Sequence, residues 1–386
     1  MAIIDSDQHL YESRTLWREH IDPALRDEAL HIDDDATGTP RLRWRDQQIG
    51  IAEVQVPGQS AAVGERHRRA RAGLPPPEPY DERLPRDYWE PSARLAKLNE
   101  LGVDEAVLFP NYGLLWERTL HRSLPALLAN MAAWNRWCVA VAQEGGGRLH
   151  PVAHLSLRDP AWLEKQLREL GRGGVRLAMI APALVDGRPL SHRDHDRMWA
   201  AFCDAGISPV FHVAEQPRPF ADAWYTDDHD AFVPVVETVF LYVPAALACT
   251  DLILNGTLER FPDLRIGIVE LSAIWVPLYL MMLDGASAFT RQINGGSPLP
   301  ALPLQPSDYF RRQVRVSSFA YEAPGNIVQQ LGGTDLLMCC SDYPHSEGTE
   351  TPIVDYAASG LDAHAGAAPG LFSDNIAFLL RRSAPP

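Results

Sequence analysis

Eight short apolar runs, each followed by a turn and a longer amphipathic run, restrict the fold of this 386-residue chain more than any other feature. The runs fall at 2–4, 106–109, 151–155, 174–179, 207–213, 264–269, 314–319 and 336–340, and most are rich in Val, Ile, Leu and Phe. Continuous apolar runs of this length mark strands buried on both faces, as in a parallel sheet. Helices are predicted between them, over 94–101, 124–144, 162–170, 198–205, 277–284 and 322–331, stopping at Gly102, Gly145, Gly171, Gly206, Gly285 and Gly332. Glycine is the expected residue past a helix end because it accepts φ > 0 without a Cβ clash. Eight strands alternating with helices predict a (β/α)8 TIM barrel. A doubly wound open sheet is the alternative, but the chain has neither GxGxxG nor GxxxxGK[ST], the fingerprints that usually accompany it.

The region 32–90 breaks the rhythm. It carries Asp33-Asp34-Asp35, a basic run at 66–71 and Pro75-Pro76-Pro77, and reads as an insertion after the first strand: a cap over the barrel mouth or an arm reaching a partner subunit. A homodimer or larger homo-oligomer is therefore expected. The basic run reads as a solvated helix face, because 35 basic against 50 acidic residues give a net charge of −15, which repels phosphate backbones. No nucleic-acid partner is expected. Five scattered cysteines without CxxC spacing (Cys138, Cys203, Cys249, Cys339, Cys340) argue against a disulfide framework or a zinc knuckle and point to a reducing, cytoplasmic setting. The chain start reaches charge at once, so no targeting segment is expected. The stretch 231–254 is strongly apolar but holds Glu237, Asp251, Pro234 and Pro244; it reads as a helix of a large core, not a membrane span.

Barrels of this kind gather chemistry at the C-terminal ends of their strands. Four places there carry His, Asp or Glu. In Ile3-Ile4-Asp5-Ser6-Asp7-Gln8-His9, Asp7 and His9 are two apart and share one face of a strand, where they can chelate a divalent cation; a helix cap and a surface histidine are the plainer alternative. His212 ends the fifth run, as a mouth residue or a core histidine bonded to backbone. Glu270 follows the purely apolar Ile266-Gly267-Ile268-Val269, where an unpaired carboxylate is costly: it serves a metal, a proton or a buried ion pair. Asp342 ends the last run, with His345 in the following loop. A carboxylate there can both ligate a metal and accept a proton from metal-bound water, though Asp and Pro also suit an ordinary turn.

The order of these groups along the strands is that of an amidohydrolase-type barrel. The chain resembles the amidohydrolase-related family (amidohydrolase 2) that includes aminocarboxymuconate-semialdehyde decarboxylase and the γ-resorcylate-type decarboxylases. The similarity spans most of the chain. It is carried by Ile4-Asp5-Ser6-Asp7-Gln8-His9-Leu10-Tyr11-Glu12, Leu108-Phe109-Pro110, His150-Pro151-Val152-Ala153, Asp186-Gly187-Arg188-Pro189-Leu190, Leu258-Glu259-Arg260-Phe261-Pro262-Asp263-Leu264, Trp275-Val276-Pro277 and Ser341-Asp342-Tyr343-Pro344-His345-Ser346-Glu347-Gly348.

The resemblance implies a metal-binding barrel in which His9, His212 and Asp342 are metal ligands, joined by Asp7. Asp7 falls where many relatives have the first His of an HxH pair and decarboxylases often have Glu. Glu270 falls where many have a catalytic histidine, and the helix at 235–246 lacks a histidine that related sequences often carry. The expected activity is a metal-dependent hydrolase acting on a small molecule. Its catalytic residues are Asp342, Glu270 and His345, its substrate-binding residues Trp275 and Tyr343, and its metal zinc, with manganese or iron admitted. A non-oxidative decarboxylase is the alternative chemistry, and a non-catalytic binding barrel the alternative class.

Overall fold

The computed structural model describes residues 2–36, 40–49, 73, 85–114, 116–214, 220–224, 235–296, 302–345, 348–361 and 366–382. Strand β1 (Ile4–Leu10) is followed by β2 (Leu30–Asp34), β3 (Pro40–Trp44) and β4 (Gln47–Gln48). Then come β5 (Glu105–Pro110), β6 (Leu149–His154), β7 (Leu177–Met179), β8 (Ser208–His212), β9 (Ile266–Val269), β10 (Val314–Ser318) and β11 (Leu337–Cys339). The helices are α1 (Leu16–His20), α2 (Pro91–Leu101), α3 (Glu117–Leu120), α4 (Leu124–Glu144), α5 (Pro160–Arg172), α6 (Asp196–Ala205), α7 (Val235–Val239), α8 (Val243–Leu254), α9 (Thr257–Arg260), α10 (Val276–Ile293), α11 (Pro306–Gln313), α12 (Pro324–Leu331), α13 (Pro352–Ala358) and α14 (Asn375–Leu379).

Eight parallel strands run side by side in the order β1-β5-β6-β7-β8-β9-β10-β11, the expected (β/α)8 barrel. Each lies on one of the eight apolar runs. The ring closes where Gln8 bridges to Tyr343 in parallel. Alternation along the strands turns Val107, Phe109, Val152, Leu177, Met179, Val210 and Val269 into the barrel. Ile376, Leu379 and Leu380 fill its floor from the C-terminal segment. The buried outer faces of the strands pack against the helices, as Leu108, Ala153, Ile266 and Ile268 do. The next inward positions after Val152 and Val210 are the strand-end residues His154 and His212, so the same alternation that builds the core aims polar groups into the mouth.

Of the expected helix stops, Gly102, Gly206 and Gly332 close α2, α6 and α12 in the left-handed region, at φ of 72°, 62° and 70°. Gly285 does not stop its helix. The helix α10 runs through it for two further turns to Ile293, because Ala286, Ala288 and their neighbours are helix-compatible and nothing forces a turn. The apolar stretch 231–254 also departs from expectation. It is long and apolar enough, by length and composition, to cross a membrane, yet 33% of its most apolar window is buried. Its helices α7 and α8 lie on the outside of the barrel with Val235, Val239 and Leu247 exposed.

The first part of the 32–90 insertion forms an antiparallel sheet, β2-β3-β4. Leu30 pairs with Trp44 and Ile32 with Leu42, and all four join the core outside the barrel. The Leu30 N–H donates to Asn130 Oδ1 at 2.8 Å, so this sheet is fastened to α4 of its own chain. The basic run 66–71 and the prolines 75–77 lie outside the described residues.

The barrel floor carries an ion cluster. Arg382 reaches Glu105 with Nη1 at 2.8 Å and Nη2 at 2.6 Å, and His150 Nε2 lies 2.6 Å from Glu105 Oε2. Burial opposes ionisation of Glu105, but the bonds from His150 and Arg382 outweigh it and lower the carboxyl from 4.5 to about 2. A depressed carboxylate stabilises the fold above its unfolded value, and that stability is lost as pH falls through the folded value. Glu105→Gln should therefore cost about 1 kcal/mol at neutral pH, the scale of a partly screened ion pair. The gap to wild type should narrow as pH falls below about 4.5. Urea unfolding across a pH series checks this; a gap that does not change with pH would refute it.

Candidate metal centre

Asp7 and His9 stand on β1 at the seam where the barrel closes. The Asp342 N–H donates to the Asp7 carbonyl at 2.9 Å, and the His9 N–H to the Tyr343 carbonyl at 2.8 Å. The buried Asp5 carboxylate braces this seam. It accepts from the Ser341 N–H at 2.9 Å, the Asp7 N–H at 3.2 Å and Gln8 Nε2 at 2.8 Å. Behind His9, buried Arg94 donates to the His9 carbonyl at 2.8 Å and to Gln8 Oε1 at 3.0 Å.

The side chains meet in front of this seam. One group comprises Asp7, His9, His212 and Glu270, and a second His9, Glu270, Asp342 and His345; within each, the candidate ligand atoms all lie within 4.8 Å of one another. His9 Nε2 is 3.1 Å from Asp342 Oδ1, 3.5 Å from Asp7 Oδ1 and 3.6 Å from Glu270 Oε2. His212 Nε2 is 3.1 Å from Glu270 Oε2 and 3.4 Å from Asp7 Oδ1. His345 Nδ1 is 2.9 Å from Asp342 Oδ1. Of the four ligands expected from the sequence, Asp7, His9 and His212 thus share a group with Glu270, while Asp342 joins through His9, Glu270 and His345.

The far nitrogens of all three imidazoles are engaged. His9 Nδ1 faces the Pro110 carbonyl at 3.0 Å, His212 Nδ1 the Val213 carbonyl at 2.7 Å, and His345 Nε2 the Asn111 amide oxygen at 2.8 Å. Each of those nitrogens must donate, which leaves a lone pair on the inward nitrogen of a neutral ring. The inward partners are carboxylates, which only accept. Asp7 Oδ2, His9 Nε2, Glu270 Oε2, both Asp342 oxygens and His345 Nδ1 are buried without a hydrogen-bond partner. Acceptors facing acceptors need positive charge between them, either a cation or protons on the imidazoles. The donor set therefore fits a divalent metal.

Without metal, protons do that work. Burial disfavours the charge on His212, but Asp7 and Glu270 outweigh it and raise the ring to about 9. His9 is likewise raised well above its usual value against burial, through Asp342 and Glu270. Burial raises Asp7 to about 7 despite His212 and His9. Glu270 is held low, because the two imidazoles outweigh its burial.

Two of these carboxylates sit in strained backbone. Glu270 and Asp342 both have φ of 55°, and Ser272 has φ of 61°, a region that costs a non-glycine residue about 1–3 kcal/mol. The surroundings impose it. The Glu270 N–H donates to Ser317 Oγ at 3.0 Å. Buried Glu322 accepts from the Ala273 N–H at 3.2 Å, the Phe319 N–H at 3.0 Å and the Ser272 hydroxyl, tying together the loops after β9 and β10.

The two expected substrate contacts are placed otherwise. The Trp275 indole N–H donates to the Ser272 carbonyl at 2.9 Å and its ring stacks on Tyr242 at 5.3 Å. The Tyr343 hydroxyl donates to Asp87 at 2.7 Å, with Arg94 over its ring at 5.1 Å. In these contacts both brace the loops that carry Glu270 and Asp342.

Sequence reading missed Asn111, and it missed His154. His154 is buried at the end of β6, with Nε2 2.9 Å from Glu117 Oε2. Asn135 holds its peptide on both sides, accepting from the N–H at 2.8 Å and donating to the carbonyl at 3.1 Å. The strand-end pattern that exposed His212 was available here too, in His150-Pro151-Val152-Ala153-His154.

No protein-family profile and no curated protein matches the chain. Solved structures do. An amidohydrolase from Mycobacterium avium subsp. paratuberculosis K-10 is similar with a TM-score of 0.77 at 22% identity, over 98% of this chain and 99% of that one. The 5-carboxyvanillate decarboxylase of Novosphingobium aromaticivorans DSM 12444, complexed with manganese and 4-hydroxy-3-methoxy-5-nitrobenzoic acid, gives 0.66 at 17% identity, over 98% and 96%. A dihydroxybenzoic acid decarboxylase from Polaromonas sp. JS666, with manganese and 2-nitroresorcinol bound, gives 0.61 at 14%, over 98% and 97%. The chain has the fold of the amidohydrolase barrels.

Because the imidazoles hold protons in the metal-free cluster, cation uptake must displace them. Titration of chelator-treated protein with zinc or manganese near pH 7 should release about one to two protons per chain, read by calorimetry in buffers of different ionisation enthalpy. Affinity should rise as pH is raised toward about 9, where His212 loses its proton unaided. Binding without proton release would contradict this account of the cluster.

Proposed function

We propose that the chain is a metal-dependent hydrolase of small molecules, acting at a carbonyl or imine-type carbon. Asp7, His9, His212 and Glu270, with Asp342 beside them, would hold the cation. When bound, a divalent cation lowers the pKa of water from about 16 toward about 7 and polarises a carbonyl oxygen. Zinc suits this mixed nitrogen and oxygen donor set. Manganese, bound in two of the similar structures, is the alternative. The five free cysteines suit a reducing, cytoplasmic setting.

The observation that carries the reading is the chain of groups Asp342–His345–Asn111. Both Asp342 oxygens are buried and lack a donor, so either can take a proton from an attacking water. His345 Nδ1, 2.9 Å from Asp342 Oδ1, can pass that proton to a leaving group. Asn111 fixes the ring by accepting from Nε2 at 2.8 Å. Phe109, whose ring lies 4.1 Å from that of His212, and Val269 wall the cluster with apolar surface, which strengthens charge interactions there.

Charge separates hydrolysis from decarboxylation. Asp7, Glu270 and Asp342 bring three carboxylates, which one divalent cation leaves negative. The groups acting on Asp7, His9, His212 and Glu270 are chiefly one another. Such a cluster favours a neutral carbonyl over a substrate carboxylate. Decarboxylation is the second reading, supported by the likeness to two decarboxylases; there His345 would deliver a proton to a ring carbon. A barrel that only binds is disfavoured by the relay.

A panel of neutral amides, esters, lactones and imines, run beside phenols with labelled bicarbonate, tests the choice. Hydrolysis without carboxylation is expected; label fixed into a phenol would overturn it. On the substrate that turns over, His345→Gln should lower kcat by about 10²–10⁴-fold, the range of general acid–base roles, with metal content unchanged. Near wild-type kcat would remove His345 from the mechanism.

A further inference from the structure

Helix α10 is the third-longest apolar stretch to leave the barrel wall incompletely covered, and its outer face is unpartnered among the described residues. Ile274, just before the helix, and Leu278, Met281, Met282, Phe289 and Ile293 on it are 60%, 62%, 75%, 61%, 64% and 68% exposed. At 100° per residue they fall on one stripe. Monomeric proteins rarely leave a contiguous apolar patch of this size uncovered.

The stripe has a symmetry. Ile274, Leu278 and Met282 are spaced by four, Gly285, Phe289 and Ile293 are spaced by four, and three residues separate Met282 from Gly285. The pattern reads the same in both directions. Gly285 lies inside the helix, where glycine is unfavourable relative to alanine. A Cβ built on it would meet nothing within 4 Å, so nothing in its own chain requires a glycine there.

We infer that this face joins two copies of the chain, with α10 packed antiparallel on itself across a two-fold axis between Leu283 and Asp284. That axis sets Ile274 against the partner subunit's Ile293, Leu278 against the partner subunit's Phe289, and Met282 into the gap left by the partner subunit's Gly285. Two-fold pairing makes each of these contacts twice. The exposed parts of the six side chains amount to roughly 700 Å², close to the ~800 Å² each partner gives a standard interface. Beside the stripe a cleft of about 290 Å³, lined in part by Leu254, Tyr279, Met282, Ala286 and Leu302, offers further apolar surface. Charge selects the same face. The chain carries −15 overall, but between Ile274 and Thr290 the one charged residue is Asp284, whose carboxylate accepts from the Ser307 N–H at 2.8 Å and hydroxyl at 2.7 Å. A membrane-binding helix would carry a basic rim, and α10 has one basic residue, Arg291.

Sedimentation equilibrium of the full chain, with Gly285→Leu and Met282→Lys, tests the interface. Both substitutions are at exposed positions, and circular dichroism confirms that each variant folds. The wild type should be a dimer at micromolar concentration. Gly285→Leu, which fills the gap without touching its own chain, should weaken the dimer at least about tenfold, a change of ~1.4 kcal/mol, and Met282→Lys by at least as much. A monomeric wild type would overturn the inference, as would a dimer that both variants leave unchanged. Flotation of monomeric protein with phosphatidylcholine–phosphatidylglycerol vesicles, lost in Met282→Lys, would instead assign the face to a membrane surface.

Discussion

Two backbone hydrogen bonds hold the seam of this barrel: Asp342 N–H to the Asp7 carbonyl, and His9 N–H to the Tyr343 carbonyl. They join the first barrel strand to the last, and they lie at the height where the side chains of Asp7, His9 and Asp342 converge. Closure of the sheet and assembly of the site are therefore one event. Asp5 and Arg94, both buried, clamp the seam from behind. Their cost of burial is offset by bonds to the peptides and side chain they position.

The geometry in front of the seam is high in energy on its own. Three carboxylates and three imidazoles crowd one another, and each imidazole is already committed on its far side to Pro110, Val213 or Asn111. Two of the carboxylates sit at positive φ. Strain and unpaired buried charge of this kind persist where surrounding structure over-determines them, and they concentrate at functional sites. The Glu322 bonds across the β9 and β10 loops, and Ser317 beneath Glu270, supply that support. Positive charge completes the cluster, from protons in the metal-free state and from a cation in the working one.

Much of this was legible in the sequence because it follows strand ends. An apolar run fixes a barrel strand, alternation fixes which residue points inward, and Asp7, His9, His212, Glu270 and Asp342 all lie at or just past such ends. The supporting groups were not legible. Asn111 reaches His345 across 234 residues and Asn135 reaches His154 across 19, and loop or helix polar residues carry no periodic signal of their partners. Gly285 was read as a helix stop because glycine is common there; its place inside α10 follows from the residues on either side. The 231–254 stretch was read as core by composition alone, which does not say which faces find a partner.

The central claim is that the buried cluster is a cation site. A crystal of the chain grown with zinc or manganese, and diffraction data collected at the absorption edge of that metal, tests it directly. The account predicts one anomalous peak per chain within bonding distance of His9 and His212 and of at least one of Asp7, Glu270 and Asp342. A cluster without a peak, its carboxylates bonded only to protonated imidazoles, would contradict it.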